Sequence, residues 1–407
     1  MRLLYIHQHF ATPRGAGGIR SYKMARQIVD RGHRVTMVCG RGVDGQSGLT
    51  GPFSRGLRRG QVDGIDVVEI DLAYSNNDRF LRRGLIFLRF MLRTIGLALT
   101  ERYDVLFATT TPLTVGVPGI AGRWLRRKPF VFEVRDLWPE LPKAMGVIRN
   151  PIILGLMSAL EWVSYRSAHR LVALSPGIVD GIAKRGAPRE RIALIPNGCD
   201  RDIFADPPQA WRPDGVVDRD LLAVFTGAHG LANGLDSVLD AAAELRRRGR
   251  IDIKIALVGN GMLKQHLATR VATEGLDNVL MLDPLPKLRL AGLVAGADIG
   301  LQTLANIPAF YFGTSPNKFF DYVAAGLPVL NNYPGWLALL IEQSHCGFAV
   351  PPDDPAAFAD ALETAAGDRV ALGEMGKRAA QLAVDQFDRD VLSARWADWV
   401  TGVLQQG

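Results

Sequence analysis

Short apolar runs alternate with helix-like segments along almost the whole chain of 407 residues. The first repeat has a strand predicted at Leu3–His7, a glycine-rich turn, a helix predicted over Ile19–Arg31 and a strand at Arg34–Cys39. This order favours a parallel sheet that is covered by helices on both faces. Further strands are predicted at Val105–Ala108, Phe130–Glu133, Arg170–Ala173 and Ile192–Ile195.

The alternation is interrupted by a segment rich in Pro, Gly and Asp between residues 205 and 215. It then restarts with strands predicted at Leu221–Phe225, Ile253–Val258, Ile299–Gln302 and Pro328–Asn331. The interruption predicts two doubly wound, Rossmann-like α/β domains facing a cleft, residues 1–205 and residues 206–387. Residues 388–407 contain an amphipathic helix that we expect to pack back on the first domain. Ligands of such sheets bind at the carboxyl ends of the strands.

Composition and charge limit the class of protein. Apolar residues make up 48% and charged residues 22%, which is ordinary for a globular chain. The three cysteines are far apart and odd in number, which excludes a disulfide framework and fits a reducing compartment. The net charge of +7 suits an anionic small molecule, a membrane surface or nucleic acid. Because the chain has no nucleic-acid-binding motif, we expect no nucleic-acid partner.

Two segments indicate where in the cell the protein lies: the first residues and residues 79–98. The initial apolar stretch is too short for a signal peptide and is broken by His7–His9, which predicts a cytoplasmic protein. Residues 79–98 contain five arginines, which rule out an ordinary membrane span. At helical spacing the arginines are predicted on one face and large apolar residues on the other. We expect Arg82, Arg89 and Arg93 to contact an anionic membrane surface; the alternative is a core helix with a solvated basic face.

A glycine-rich loop, Gly15–Gly18, precedes the first helix. Glycines at this point let an anion approach backbone amides near a helix start, so Gly17 and Gly18 are candidate phosphate contacts. A dinucleotide fingerprint would need a third glycine where Arg20 stands, which argues against a nicotinamide or flavin site. A plain flexible turn remains the alternative.

The segment from residue 312 to residue 329 carries the strongest signal, with the run Gly-Thr-Ser-Pro-Asn-Lys-Phe-Phe-Asp-Tyr followed by Gly-Leu-Pro-Val. It resembles the retaining glycosyltransferases of family 4, which have the two-domain GT-B fold. The resemblance is to the branch of N-acetyl-fucosaminyl transferases of bacterial surface-polysaccharide assembly. It implies that Asp321, at the second position of the family's paired-acid motif, binds ribose. Gly313 stands at the first position, so that acid is absent.

Independently of the resemblance, Lys318 lies near a predicted helix start. With the backbone amides of Thr314–Asn317, its ammonium can stabilise the charge that develops on a departing diphosphate. The alternative is an ordinary helix start with a solvated lysine.

Two further segments resemble landmarks of the same family. Pro196–Asp200 resembles its interdomain Pro-Asn-Gly-Val-Asp sequence, and Thr226–Asp236 resembles its diphosphate loop. The family's basic pair in that loop falls on Ala228 and Asn233, so both charges are missing and Lys318 is the remaining cation. Across all these segments, the donor-binding residues that we predict are Gly17, Gly18, Gly227, His229, Asn233, Gly259, Thr314, Ser315, Asn317, Lys318 and Asp321.

The run Phe132–Glu140 resembles the segment after a central strand of the first domain, where the family often has a catalytic-site histidine. Here Arg135 stands in that place. Asp136 is predicted to orient or deprotonate the acceptor hydroxyl, Arg135 to hold the acceptor or touch a phosphate, and Glu133 to be a second acidic partner. A surface ion pair or a helix cap is the alternative for Arg135 and Asp136. For His7 and His9, a role facing the cleft and a core or surface role stay equally open.

These features together predict a retaining glycosyltransferase that moves a sugar from a UDP-linked donor to a lipid-linked saccharide at the inner face of the plasma membrane. The branch resemblance implies an N-acetylated deoxy-sugar. No metal and no cofactor are expected, because the three Asp-x-Asp pairs lie at a linker or at predicted helix starts, where aspartate is common. Two alternatives stay open: an acceptor-independent sugar-nucleotide hydrolase or epimerase, and a non-catalytic sugar-nucleotide-binding protein.

Overall fold

The computed structural model describes residues 1–15, 18–42, 47–74, 80–207 and 209–406. The chain divides into two units. Unit 1 comprises Met1–Asn197, Phe312–Ser315 and Arg389–Gly407, and unit 2 comprises Gly198–Tyr311 and Pro316–Asp388. The division follows Asn197 rather than residue 205, because the segment after it is held within unit 2. There the buried Asp200 carboxylate pairs with Lys287 at 2.7 Å.

Unit 1 contains an eight-stranded sheet in the order β3-β4-β2-β1-β5-β6-β7-β8, and every pair except β3/β4 is parallel. Apolar side chains on both faces of the sheet form its core. The elements are β1 (Arg2–Ile6), α1 (Arg20–Asp30), β2 (Arg34–Arg41), β3 (Leu57–Val62), β4 (Ile65–Ala73), α2 (Phe80–Thr100), β5 (Val105–Thr109), α3 (Gly116–Leu125), β6 (Phe130–Val134), α4 (Glu140–Ala144), α5 (Pro151–Ser167), β7 (Arg170–Ala173), α6 (Pro176–Lys184) and β8 (Ile192–Leu194).

Unit 2 contains a six-stranded parallel sheet in the order β11-β10-β9-β12-β13-β14. The two α/β sheets confirm the predicted fold class. The elements of unit 2 are α7 (Arg201–Phe204), β9 (Leu221–Thr226), α8 (Leu235–Arg247), β10 (Ile253–Val258), α9 (Lys264–Thr273), β11 (Val279–Leu282), α10 (Lys287–Gly296), β12 (Ile299–Gln302), α11 (Pro308–Tyr311), α12 (Asn317–Ala324), β13 (Val329–Asn331), α13 (Trp336–Ser344), β14 (Gly347–Ala349), α14 (Pro355–Gly367) and α15 (Arg369–Gln386).

The last helix, α16 (Arg389–Thr401), belongs to unit 1 although it follows unit 2 in the chain. Its Trp396 is fully buried and stacks on Tyr5 with ring centroids 5.6 Å apart. The same indole meets the Phe107 ring edge-on at 4.9 Å. Burial of a side chain of this size anchors α16 to the unit 1 sheet.

Helix α2 does not have the two opposite faces that the sequence suggested. Its buried face carries Ile86, Phe90 and Leu97, and α2 packs against α3. The leucines that were predicted on the face opposite the arginines are exposed and lie beside the arginines. The exposed residues are Leu81, Leu85, Leu88 and Leu92 with Arg82, Arg89 and Arg93. Within the described ranges, no helix is both long enough and apolar enough to cross a membrane.

Candidate active site

In unit 2, the loops that follow β9 and β10 touch through glycine. A Cβ on Gly259 would lie 1.8 Å from the carbonyl oxygen of Gly227, and both residues have positive φ angles, +152° and +145°. Only glycine allows backbones to approach this closely. The contact brings the predicted donor-binding residues Gly227 and Gly259 together at the carboxyl ends of adjacent strands, where ligands of such sheets bind.

His229 lies in the same place and is fully buried. Its backbone is fixed, because its N–H donates to the Asn260 carbonyl at 2.9 Å and its carbonyl accepts from Leu263 at 2.9 Å. Burial, with Lys264 and Lys318 nearby, lowers the pKa of His229 to about 4, so the ring is neutral at pH 7. Neither ring nitrogen has a hydrogen-bond partner among the described residues. A neutral imidazole offers one donor and one acceptor to a ligand.

Lys318 is the second residue of α12, and its side chain reaches back to these loops. Its ammonium donates to Asn233 Oδ1 at 2.8 Å and lies 4.0 Å from the centroid of the Phe225 ring. Burial lowers the pKa of Lys318 to about 7. Its Cε would lie 3.3 Å from a Cβ on Gly227. Lys318 and Asn233 therefore lie against the glycine loops.

The missing basic pair of the diphosphate loop has a structural counterpart. Asn233 Nδ2 donates to the Ala228 carbonyl at 2.7 Å, which links the two positions where the resemblance expected charges. The only side-chain cation bound to either position in the described structure is Lys318, which arrives from a different element. The positive charge at this point thus comes from the start of α12 instead of from the loop itself.

The predicted loop ahead of α12 is divided between the two units. Thr314 and Ser315 belong to unit 1, whereas Asn317 and Asp321 belong to unit 2. Ser315 Oγ accepts from the Asn197 backbone N–H at 3.1 Å, so this hydroxyl is partly used to position the backbone at Asn197. Asp321 lies half-buried one turn into α12.

In unit 1, a polar cluster lies at the carboxyl ends of β1, β5 and β6. Arg135 N donates to Thr110 Oγ1 at 2.8 Å, and its guanidinium Nη1 lies 3.2 Å from His7 Nε2. Asp136 Oδ2 accepts from Thr111 Oγ1 at 3.2 Å. Burial raises the pKa of Asp136, which Arg135 and the Thr111 hydrogen bond oppose. The structure thus brings Arg135 and Asp136 together, beside a histidine whose role the sequence had left open.

Glu133 is a correction to the sequence analysis. It is fully buried, and its two carboxylate oxygens are occupied: Arg20 Nη2 donates to one at 2.8 Å and Thr109 Oγ1 to the other at 2.7 Å. Arg20 also donates to the carbonyls of Ile195 and Pro196. The Arg20–Glu133 pair therefore ties α1, β5, β6 and the residues after β8 together, so the carboxylate is not presented to an acceptor.

The remaining predicted residues have simpler surroundings. Gly18 is exposed just before α1, and Gly17 lies outside the described residues. Arg82, Arg89 and Arg93 are exposed on α2. In the described part of the chain, no group of three or more His, Cys, Asp or Glu side chains is placed to hold a metal ion.

Comparisons with known proteins decide the family. A model described as "Glycosyl transferase 4-like domain" matches residues 15–198, and one described as "Glycosyl transferases group 1" matches residues 220–368. The chain belongs to the GT-B glycosyltransferases. The first match lies almost entirely in unit 1 and the second almost entirely in unit 2, so each unit of this glycosyltransferase corresponds to one family domain.

Individual relatives agree with this family. The "Probable glycosyltransferase WbjE" of Pseudomonas aeruginosa is 24% identical over 71% of this chain and 73% of its own length. WcaL of Escherichia coli K12, named for colanic acid biosynthesis, is 22% identical over 57% of this chain and 56% of its own. The chain spans about half the length of several other curated relatives. The structure of Anabaena HepE with UDP matches with a TM-score of 0.70 at 16% identity, covering 99% of this chain and 100% of HepE.

Two features of these clusters were not predicted from the sequence. Phe225, at the end of β9, faces the Lys318 ammonium, and Thr110 and Thr111 hold the backbone and side chain of the Arg135–Asp136 pair. The only sequence signal that could have identified these residues is their position, since Phe225 and Thr111 lie at or just after strand ends.

Proposed function

We propose that this glycosyltransferase transfers a sugar from a UDP-sugar to a lipid-linked saccharide, with retention at the anomeric carbon and without a metal ion. The single observation that carries the proposal is the Lys318 ammonium, held between Asn233 and Phe225 against the Gly227 and Gly259 loops. Its buried setting would favour a diphosphate that pairs with it. HepE, a protein of the same fold, was crystallised with UDP.

In the proposed reaction, the bond between the anomeric carbon and the diphosphate oxygen breaks, and a bond from that carbon to the acceptor oxygen forms. The acceptor hydroxyl proton passes to the departing diphosphate, as in the family that the chain resembles. The developing charge on the leaving oxygen is where Lys318 stabilises most, because preorganised donors in a water-poor site act on charge that appears in the transition state. Asp321 would hold the ribose hydroxyls, as the resemblance implies.

The donor sugar in this proposal is an N-acetylated deoxy-sugar, and the product enters a surface polysaccharide such as an O-antigen. The support is the Gly313–Tyr322 run, which resembles the N-acetyl-fucosaminyl branch. The name of WcaL points to polysaccharide synthesis as well.

We further propose that unit 1 binds the inner membrane surface as a peripheral protein. Helices α2 and α5 precede β5 and β7, so their first halves lie at the carboxyl edge of the sheet, the edge that holds Arg135 and Asp136. Both first halves expose large apolar side chains, including Leu81 at 83%, Ile152 at 72% and Leu156 at 68% exposure. Helix α3 packs against both.

We call Leu81, Leu85, Leu88, Leu92, Ile152, Ile153 and Leu156 the exposed apolar surface. Exposed apolar side chains flanked by Arg82, Arg89 and Arg93 match an anionic bilayer, which attracts the cations and accepts the leucines. A chain of ring contacts, His9 to Tyr74 at 4.7 Å and Tyr74 to Phe87 at 5.6 Å, joins α2 to the segment after β1. A lipid-linked acceptor at the surface would therefore be near the polar cluster of unit 1.

The transfer reaction is tested with radiolabelled UDP-sugars, including UDP-N-acetylhexosamines, and a chloroform–methanol lipid extract of the producing cells. We expect label to move into the lipid fraction in the presence of a chelator. Release of free sugar alone would indicate a hydrolase, and binding without turnover would indicate a non-catalytic protein.

Membrane binding is tested by flotation with phosphatidylglycerol–phosphatidylcholine vesicles. Substituting Arg82, Arg89 and Arg93 by Glu should lower the partition coefficient about 10²-fold or more, at about 1 kcal/mol per basic residue, and leave UDP affinity unchanged. A control with the same change of charge substitutes the exposed unit 2 residues Arg246, Arg247 and Arg378. Equal flotation of the two variants would contradict membrane binding through the arginines of α2.

A further inference from the structure

His7 has a hydrogen-bonding group that the fold does not use. It directly follows β1, is 3% exposed, and its Nδ1 has no hydrogen-bond partner among the residues that the structure describes. Its other ring nitrogen, Nε2, lies 3.2 Å from the Arg135 guanidinium. Leaving a buried polar group without a partner costs about 1–3 kcal/mol, so a ligand oxygen that pairs with it would be favoured.

The contact with Arg135 determines where the His7 proton lies. A guanidinium has only donors, so Nε2 of His7 must be the acceptor in this pair. Burial, followed by the charge of Arg135 and by His9 and Arg20, lowers the pKa of His7 well below its ordinary value, so the ring is neutral. A neutral ring that accepts at Nε2 carries its proton on Nδ1. Nδ1–H is therefore a buried donor in a fixed direction.

We propose that His7 is an acceptor-binding residue, whose Nδ1–H donates to an oxygen of the acceptor saccharide, with Arg135 as the positioning residue that fixes the tautomer. This inference rests on the proposed function, because it needs a hydroxyl-bearing acceptor in unit 1. The surroundings fit such a group: Asp136 lies next to Arg135 in the chain, and it accepts from Thr111 through one carboxylate oxygen. A saccharide hydroxyl both accepts and donates, so it can take the His7 proton and offer its own to an acidic group.

The tautomer is measured directly, on the full-length wild-type protein without ligand, by long-range ¹H–¹⁵N correlation of ring-labelled histidine. The His7 signals are assigned with His7→Gln. We expect a neutral ring protonated on Nδ1, and an Arg135→Met variant in which that preference is lost. A ring protonated on Nε2, or a cationic ring at pH 7, would overturn the inference.

Two substitutions separate the ring nitrogens in function. His7→Asn places an amide N–H near the position of Nδ1, whereas His7→Gln places its amide near Nε2 and removes the Nδ1 donor. With the radiolabelled donor and the lipid extract, we expect the ratio of lipid-bound label to free sugar to fall about tenfold in His7→Gln, the loss of one hydrogen bond. His7→Asn should stay within a few-fold of wild type.

Gln8 provides the control, since its side-chain amide is also buried and has no partner among the described residues. Its Cγ lies against Gly40 of β2, which pairs with β1 on the side away from β5 and β6. Gln8→Met should keep the wild-type ratio. Equal losses in His7→Asn and His7→Gln, matched by equal falls in melting temperature, would show a structural role and overturn the inference. Absence of transfer in wild type with the Nδ1–H tautomer present would refute the proposed function alone, whereas transfer with an Nε2–H ring would refute this inference alone.

Discussion

Replacing Lys318 by alanine removes the ammonium that donates to Asn233 and lies against Gly227. The substitution leaves the Asn233 amide and the Phe225 ring in place. We expect turnover at saturating donor to fall far more than UDP affinity. The reason is that the ground-state diphosphate carries charge that several backbone amides share, whereas the transition state adds charge at the leaving oxygen.

The size of the effect follows from the surroundings of the ammonium. Two unit charges about 4 Å apart attract by about 1 kcal/mol in water and by about 4 kcal/mol at the effective dielectric near a protein surface. The ammonium lies 4.0 Å from the centroid of the Phe225 ring, and burial lowers its pKa to about 7. The attraction energy calculated for water is therefore too small for this site. Loss of one preorganised donor typically costs about 10²–10³ in turnover, and we expect a value in that range with a change in UDP affinity of less than about tenfold.

The assay compares initial rates of label transfer at saturating donor with the UDP dissociation constant from calorimetry. Lys377→Ala is the matched control, because Lys377 is 75% exposed and pairs with Glu374 on α15. It should leave both quantities unchanged. Near-normal turnover in Lys318→Ala would refute the reasoning and would mean that the leaving group is stabilised elsewhere, with His229 as the next candidate.

Further predictions concern the same sites. Asp321→Ala should raise KM for the donor and leave kcat within a few-fold, because ribose contacts are similar before and during transfer; a fall in kcat alone would contradict this. The pKa of Lys318 is lowered to about 7, so its ammonium is present below pH 7 and lost above it. We therefore expect kcat/KM for the donor to be flat on the acidic side and to fall as the pH rises through about 7, with kcat falling at higher pH because bound diphosphate favours the ammonium. A kcat/KM that rises through this range would exclude a cationic role.

The sequence predicted most of the parallel strands, because each of these is a short, apolar run between turn residues. It missed β11 and β14, which are three or four residues long and only partly buried. It missed the β3–β4 hairpin, since β3 contains the polar run Arg58-Arg59-Gly60-Gln61 and pairs along one edge only. The turn between them, Asp63-Gly64, has positive φ at both residues, an Asp-Gly signal typical of a two-residue hairpin.

The sequence could single out a residue of the candidate site where a local motif marks it. Lys318, Asn233 and the glycine loops each lie in such a motif, and each motif is recognisable without the others. The errors concern pairs distant in sequence. Glu133 was assigned to an acceptor because its partner Arg20 is 113 residues away, and the role of His7 stayed open because Arg135 is 128 residues away. These pairs meet only because the fold brings α1 and the carboxyl end of β1 close to the carboxyl end of β6.

The central claim, that unit 2 binds a uridine diphosphate through Lys318 and backbone loops without a metal, is tested most directly by calorimetry of UDP with the wild-type protein. The titration is made in excess EDTA and repeated with magnesium and with manganese. The account predicts binding of one UDP per chain in EDTA, with an affinity that neither metal changes appreciably. Binding that disappears in EDTA and returns with either metal would contradict it.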